Sequence, residues 1–503
     1  MIIRQISYLH LSAFSLAIAL PLASQAVVLD DISFTALQSE LGANLPTGTG
    51  VNVSLVEAFI GTGCNDTHLD NCLYLPDSSV GSYTDESAGL GFSTDFSGHA
   101  TGSANNFYGS LSSAPNISNR TVYAAGHWLF NGYLNSSTDS IASTIAPQTS
   151  FTRISSHSYV GNTGILSLGI LQRVDYLADK DDHILITAFN NGTTNRELIS
   201  NAYNTIAVGR TDGNHPIGTV DVNPSTGLYN ATNRSGVDIV VPETTTSAAT
   251  PRVASAAALL VGYAHDQGLS KSNGVLTNRN NDMIYHAETS EVIKASLMAG
   301  ATRVTSNTAI TADITNYRSV GNQTTNGLDR RYGAGQLNVQ NSYHILEAGE
   351  QDAGTVLSTG FDYDNSFGGL NGSDDIASYS FTNNEDVWFS ASLVWNIVFD
   401  VSDDETFTSS VGELFDINLS LSIFNGINFD EVANSNSLIN NSENIWLQLL
   451  AGDYRIDVSS NGNFDTDYAL AWQTSAVPVP AAVWLFGSAL SGFIMFRRKK
   501  IIN

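Results

Sequence analysis

The chain has 503 residues, of which 42% are hydrophobic and only 14% charged, with a formal net charge of −27. That apolar content is enough for two domains with packed cores and excludes a disordered chain, while the negative charge would repel phosphates and excludes nucleic acid as a partner. Two cysteines, Cys64 and Cys72, offer no Cys/His spacing for a metal site.

Residues 1–26 read as a secretory leader. Arg4 supplies the positive start, Leu9 to Leu22 the apolar core, and Ala23-Ser24-Gln25-Ala26 a small-x-small cleavage site. An uncleaved anchor is the alternative, but the apolar run is short for a membrane span. Export leads to an oxidising compartment, where Cys64 and Cys72 are expected to form a local disulfide instead of two free thiols.

After the Gly48-Thr49-Gly50 turn, Val51 to Val56 has the pattern of a buried strand and ends in Glu57. An acid at the carboxyl end of a strand stands at the edge where open α/β sheets build their sites. Glu57 is therefore either a functional carboxylate or a structural salt-bridge acid, and Asp66 and Asp70 are the other acids within reach. His99 follows in Ser97-Gly98-His99-Ala100-Thr101-Gly102-Ser103-Ala104, a context in which a lone histidine is commonly a surface or core residue.

Apolar strands then alternate with helical stretches. Val122 to Ala125 and the Ser-rich Phe151 to Ser158 are strands, and Ile165 to Ala178 reads as a helix. His183 to Ala188 is a further strand, ending in Phe189-Asn190-Asn191-Gly192, where Asn190 on its own is an ordinary turn residue. Tyr203 to Gly209 and Val237 to Pro242 are two more strands. This alternation from about residue 50 to residue 268 predicts an α/β fold, a parallel sheet with helices on both faces.

Thr244-Thr245-Thr246-Ser247-Ala248-Ala249-Thr250-Pro251 feeds an Ala/Leu-rich segment that predicts a buried helix ending near Gly268. Pro251 falls in the first turn, where its missing N–H costs little. Ser247 is then at or just before the helix N-terminus, beside free N–H groups and the positive end of the dipole. It is either an N-cap or a nucleophile placed where an oxyanion would be stabilised. Glu291 to Gly300 predicts another amphipathic helix, and Tyr332-Gly333-Ala334-Gly335 a tight turn.

Four of these stretches, in order, resemble the motifs of the subtilase family. Thr246-Ser247-Ala248-Ala249-Thr250-Pro251 resembles the serine motif Gly-Thr-Ser-x-Ala-x-Pro, with Thr245 in place of the Gly and Arg252 where a His is common. Ser97 to Ala104 resembles the histidine motif, with Gly102 for its second His, followed by the Ala114-Pro115 turn. Ala188-Phe189-Asn190 resembles the family's Ala-Gly-Asn, and Gly333-Ala334-Gly335 its closing turn. Across roughly residues 45–348 the resemblance implies a subtilisin-like fold, Ser247 as nucleophile, His99 as base, Glu57 in place of the usual triad Asp, and Asn190 as oxyanion donor. It implies an exported serine endopeptidase that hydrolyses protein or peptide substrates through an acyl-enzyme, with no cofactor required. Structural Ca²⁺ is compatible with the family. A sedolisin-type enzyme would replace the His base by an acid and the oxyanion Asn by Asp, so His99 and Asn190 argue against it. The departures at Glu57, Thr245 and Phe189 fit an alternative, a catalytically silent subtilase-fold surface or biofilm-matrix protein.

From about Gln351 the texture changes to short apolar runs separated by Asn/Gly/Asp turns: Val356-Leu357, Ala377 to Phe381, Val387 to Trp395, Ile417 to Phe424, Ile445 to Leu450, Tyr454 to Val458 and Tyr468 to Trp472. They predict an antiparallel β-sandwich over 349–475 that resembles the pre-peptidase C-terminal domain. Asp362, Asp364, Asp374 and Asp375 are read as solvated acidic turns, with Ca²⁺ binding as the alternative. Val477-Pro478-Val479-Pro480 opens a tail over 476–503, in which the apolar Ala481 to Phe496 precedes Arg497-Arg498-Lys499-Lys500. The apolar run predicts a C-terminal transmembrane helix with its basic end in the cytoplasm. The tail resembles a PEP-CTERM sorting signal, with Val479 for the usual Glu. That implies retention at the inner membrane, processing by an exosortase-type enzyme, and release to the cell surface or extracellular matrix. A plain membrane anchor is the alternative.

Overall fold

The computed structural model describes residues 22–477 apart from 66–67, 137–144, 150, 162–166, 197, 220–227, 230–233, 309–311, 369–374, 400–411 and 463. Most of the expected leader and the whole apolar tail segment from Ala481 lie outside the described residues. Helices α1 (Leu22–Asp31) and α2 (Phe34–Leu41) begin the described residues, and α1 runs through the point where the leader is expected to end. Val28 and Ile32 are buried in the main core, as are Phe34 and Leu37 of α2.

The α/β part follows. Strand β1 (Asn52–Glu57) precedes the short β2 (Thr84–Asp85), helix α3 (Gly98–Phe107) and β3 (Asn119–Ala124). Next are β4 (Ile154–His157), α4 (Ser167–Asp181), β5 (Ile184–Ala188), β6 (Ile206–Arg210) and β7 (Ile239–Val241). The seven strands form one parallel sheet in the order β2-β3-β1-β4-β5-β6-β7. Because side chains alternate across a strand, each strand feeds two cores. Val53, Leu55, Ile184 and Ile186 join the core that contains helix α5 (Thr246–Gln267), whereas Val56 and Leu185 join Ile170, Leu171 and Val174 of α4 on the other face. The sheet thus has helices on both faces, as the alternation of patterns required.

Helix α5 runs under β4, β5 and β6 with its Ala/Leu stretch buried throughout. A hairpin of β8 (Val275–Thr277) and β9 (Met283–Tyr285) leads into α6 (Ser290–Gly300), and α7 (Val339–Ala348) closes this part. The turn before α7 needs its glycine. Gly333 has φ +55, and a Cβ there would meet Asp238 O at 2.4 Å, which lets Ala334 donate to that same carbonyl at 2.8 Å.

The remaining strands make the expected sandwich, antiparallel except where the short first strand runs parallel to its neighbour. After β10 (Gly354–Thr355) come β11 (Gly360–Phe367), β12 (Ile376–Asn383), β13 (Val387–Val394), β14 (Ile417–Phe424), β15 (Phe429–Ser435), β16 (Ser442–Leu449), β17 (Gly452–Ser460) and β18 (Thr466–Ala476). One sheet runs β10-β12-β17-β14-β15 and the other β11-β18-β13-β16. Strands β11 and β15 were not among the expected apolar runs, and Val356-Leu357, expected as a strand, follows β10 instead. In β11 the polar Asp362 is buried because Tyr379 donates to it, and β15 is an edge strand whose Asp430 and Glu431 face water. The sandwich packs on α6 and α7, where Ser390 and Gln473 both donate to Ala299 O, at 2.8 and 2.9 Å. Phe361, Tyr363, Val394 and Ala471 extend the main core across this junction.

No helix among the described residues is long and apolar enough to cross a membrane, and the segment expected to do so lies outside them. Among the described residues, no group of three or more His, Cys, Asp or Glu side chains could hold a metal ion. Asp374 lies outside those residues.

Candidate active site

The carboxyl end of β1, which runs between β3 and β4, delivers Glu57, whose side chain is fully buried. Ser97 starts α3 by accepting the Ala100 N–H on its hydroxyl at 3.3 Å, so His99 sits in the first turn of that helix. His99 Nδ1 and Glu57 Oε2 are 2.6 Å apart, joining residues 42 positions apart in sequence. With Nδ1–H donated to the carboxylate, Nε2 is the nitrogen left to accept a proton. Burial pulls the His99 pKa down, but the charge of Glu57 and its hydrogen bond outweigh this and hold it above the ordinary value. Glu57 Oε1 is buried with no hydrogen-bond partner, so this carboxylate is served through one oxygen alone. Asp70 is exposed and Asp66 lies outside the described residues; the acid at His99 is Glu57.

Three other buried histidines are tuned the opposite way. Burial pushes His183 down to about 3 and His215 down to about 4, and holds His157 well below the usual range. These imidazoles are neutral hydrogen-bonding members of the core.

Ser247 lies in the first turn of α5, after the N-cap Thr245, whose extended backbone (φ −140, ψ 152) and hydroxyl receive the Ala248 N–H at 3.2 Å. The Ser247 hydroxyl donates to Thr245 Oγ1 at 3.2 Å, and its hydrogen bond in this structure does not go to His99. Three contacts fix where this helix start lies. Asn106 of α3 donates to Ala248 O at 3.1 Å. Ser158 donates to Ser247 O at 3.1 Å, and it follows the in-register pair Val56–His157, so it lies beside Glu57. Asn191, just beyond β5, accepts the Thr246 N–H on Oδ1 at 3.0 Å. The Ser247 N–H itself has no acceptor among the described residues. The structure thus brings Glu57 and His99 into contact and sets the Ser247 helix start against the same carboxyl edge of the sheet.

Asn190, expected as an oxyanion donor, has its amide donating to Thr194 O at 2.6 Å. Sequence reasoning did not single out Asn191, Ser158 or the Thr245 hydroxyl. The Asn-Asn-Gly turn and the Ser-rich strand end were the available signals, but which neighbour faces the helix depends on the turn geometry. Arg252 is buried, donating from Nε to Glu243 Oε1 at 3.0 Å and also to Leu111 O, so it anchors the segment between β7 and α5. Cys64 and Cys72 form the expected disulfide, with Cα atoms 4.8 Å apart.

Among solved structures, the chain is similar to the PatG macrocyclase in complex with peptide, at 13% identity, covering 62% of this chain and 95% of that one, with a TM-score of 0.33. It is also similar to the pre-peptidase C-terminal domain of a collagenase from Bacillus anthracis, at 14% identity, covering 25% of this chain and 96% of that one, with a TM-score of 0.18. Both likenesses are too distant to carry an argument about this site. No protein-family model matches the chain, and no curated protein matches it.

Proposed function

We propose that the protein is a subtilisin-like serine endopeptidase acting by acyl transfer. The observation that carries this reading is the Glu57–His99 contact at the sheet edge where the Ser247 helix begins. In this reading the Ser247 hydroxyl leaves Thr245 and gives its proton to His99 Nε2 as the oxygen attacks a peptide carbonyl. Glu57 holds the imidazole in the Nδ1–H tautomer and stabilises the imidazolium. The oxyanion forms at the Ser247 N–H and the dipole of α5. An Asn amide completes the hole: Asn190, once it leaves Thr194 O, or Asn191, already held at the helix start. His99 then returns the proton to the leaving amine, and water releases the acyl group by the reverse sequence. The chemistry requires no cofactor.

A fluorophosphonate probe tests this directly. It should label the wild-type chain and neither Ser247→Ala nor His99→Ala. A catalytically silent scaffold is the second reading, favoured by the engagement of Ser247 with Thr245 and of Asn190 with Thr194. It predicts no labelling of the wild type.

The same reading includes export, retention at the inner membrane by 481–496 and cleavage near Val477 to Pro480 by an exosortase-type enzyme. The mass of the mature C-terminus in the native host would test it, and an intact tail reaching Asn503 would rule out the processing step.

A further inference from the structure

We propose that the Cys64–Cys72 hairpin is a positioning brace that holds the Glu57 strand and the His99 helix in register with each other. Three residues after Glu57, Ile60 pairs with Leu73 in both directions, Ile60 N–H to Leu73 O at 2.9 Å and Leu73 N–H to Ile60 O at 2.7 Å. The disulfide closes the hairpin just beyond that pair. The two legs are so close at Gly61 that a Cβ there would meet Asn71 O at 2.0 Å.

The returning leg then attaches to the His99 helix. Cys72 O accepts Ser93 N–H at 3.2 Å, and Leu75 O accepts the N–H of Ser97, the N-cap of α3, at 2.7 Å. Asp77 N–H donates to Thr101 Oγ1 at 2.9 Å, one turn into the same helix. Phe59 on the outgoing leg and Tyr74 on the returning leg both pack on the Phe92 ring, at 5.7 and 5.1 Å between centroids. The covalent bond thus ties together the hairpin that links the strand of the acid, through Ile60–Leu73 and Leu75, to the residue that caps the base's helix. Holding reacting groups to a fraction of an ångström is what such a brace supplies, since a 1 Å misplacement costs about a hundredfold in rate.

The catalytic consequence rests on the hydrolase reading, but the brace itself is read from His99, whose raised titration depends on its contact with Glu57. The test uses the full chain in two variants. In one, Cys64→Ala and Cys72→Ala together remove the bond. In the other, Leu73→Pro removes one rung of the Ile60–Leu73 pair and keeps the cross-link, so the brace can be tested if the first variant does not fold. The His99 ring is titrated by NMR, and kcat and KM are measured on an unfolded protein substrate. In both variants the His99 pKa should fall, and kcat should fall roughly tenfold to a hundredfold with little change in KM. A His99 titration identical to wild type in a folded variant overturns the brace. If the wild type shows no hydrolysis, the hydrolase reading fails while the titration still decides the brace.

Discussion

Ser247 donates its hydroxyl to Thr245 Oγ1, two residues back in the chain, at 3.2 Å. A glycine at 245 could not make this bond. Thr245→Gly should free the hydroxyl for His99, and since one such hydrogen bond contributes about 1 kcal/mol, fluorophosphonate labelling should speed up about fivefold. The lost cap should cost only a few tenths of a kcal/mol, because Gly is tolerated at that position. Labelling that slows while the fold is retained would show that Thr245 assists Ser247 instead of restraining it.

Glu57 and His99 set the pH dependence. Because Glu57 raises His99 above the ordinary value of about 6.5, and activity needs the neutral imidazole, kcat/KM should rise with pH along a limb centred above 6.5. In Glu57→Gln burial acts alone, and the limb should move below 6.5 while kcat drops by about 10⁴. The stability linkage has its own sign. A raised folded pKa means the pair's contribution is full below the unfolded value of about 6.5 and is lost as pH rises through the folded one. Urea midpoints of wild type and Glu57→Gln should therefore differ most in mildly acidic buffer.

Asn191 and Asn190 can be separated by their partners. Asn191→Asp keeps an oxygen to accept the Thr246 N–H but loses the amide donor and adds a negative charge. It should preserve the melting temperature, and kcat should drop by about 10²–10³ if this amide serves the oxyanion. Asn190→Ala removes only a bond to Thr194 O unless that amide swings inward during reaction. The variant with the larger loss in kcat, at unchanged KM, identifies the donor.

Arg252, within the Ser247 helix, and Glu243, just before it, form a buried pair. Removing one partner leaves the other charged and desolvated, so Arg252→Met should destabilise the protein by about 3–5 kcal/mol in urea unfolding. Adding Glu243→Gln should recover much of that loss. If the single variant is as stable as wild type, the pair does not anchor this segment.

Legible along the chain were the alternation of strands and helices, the buried Ala/Leu helix and the change to sandwich texture near Gln351. These follow from local periodicity, which depends only on how side chains repeat along one element. The sequence also pointed to Glu57 at a strand end and to Cys64 with Cys72. Strands β11 and β15 escaped because a buried Asp362 with its tyrosine partner and a solvated edge both lack an apolar pattern. What required the folded chain is which acid meets His99, that Thr245 holds the Ser247 hydroxyl, and that Asn191 bonds the helix start while Asn190 bonds Thr194 O. Those outcomes turn on differences of a few tenths of an ångström in contact distance and on local rotamers, and hydrogen bonds are too short-ranged for spacing along a sequence to fix them.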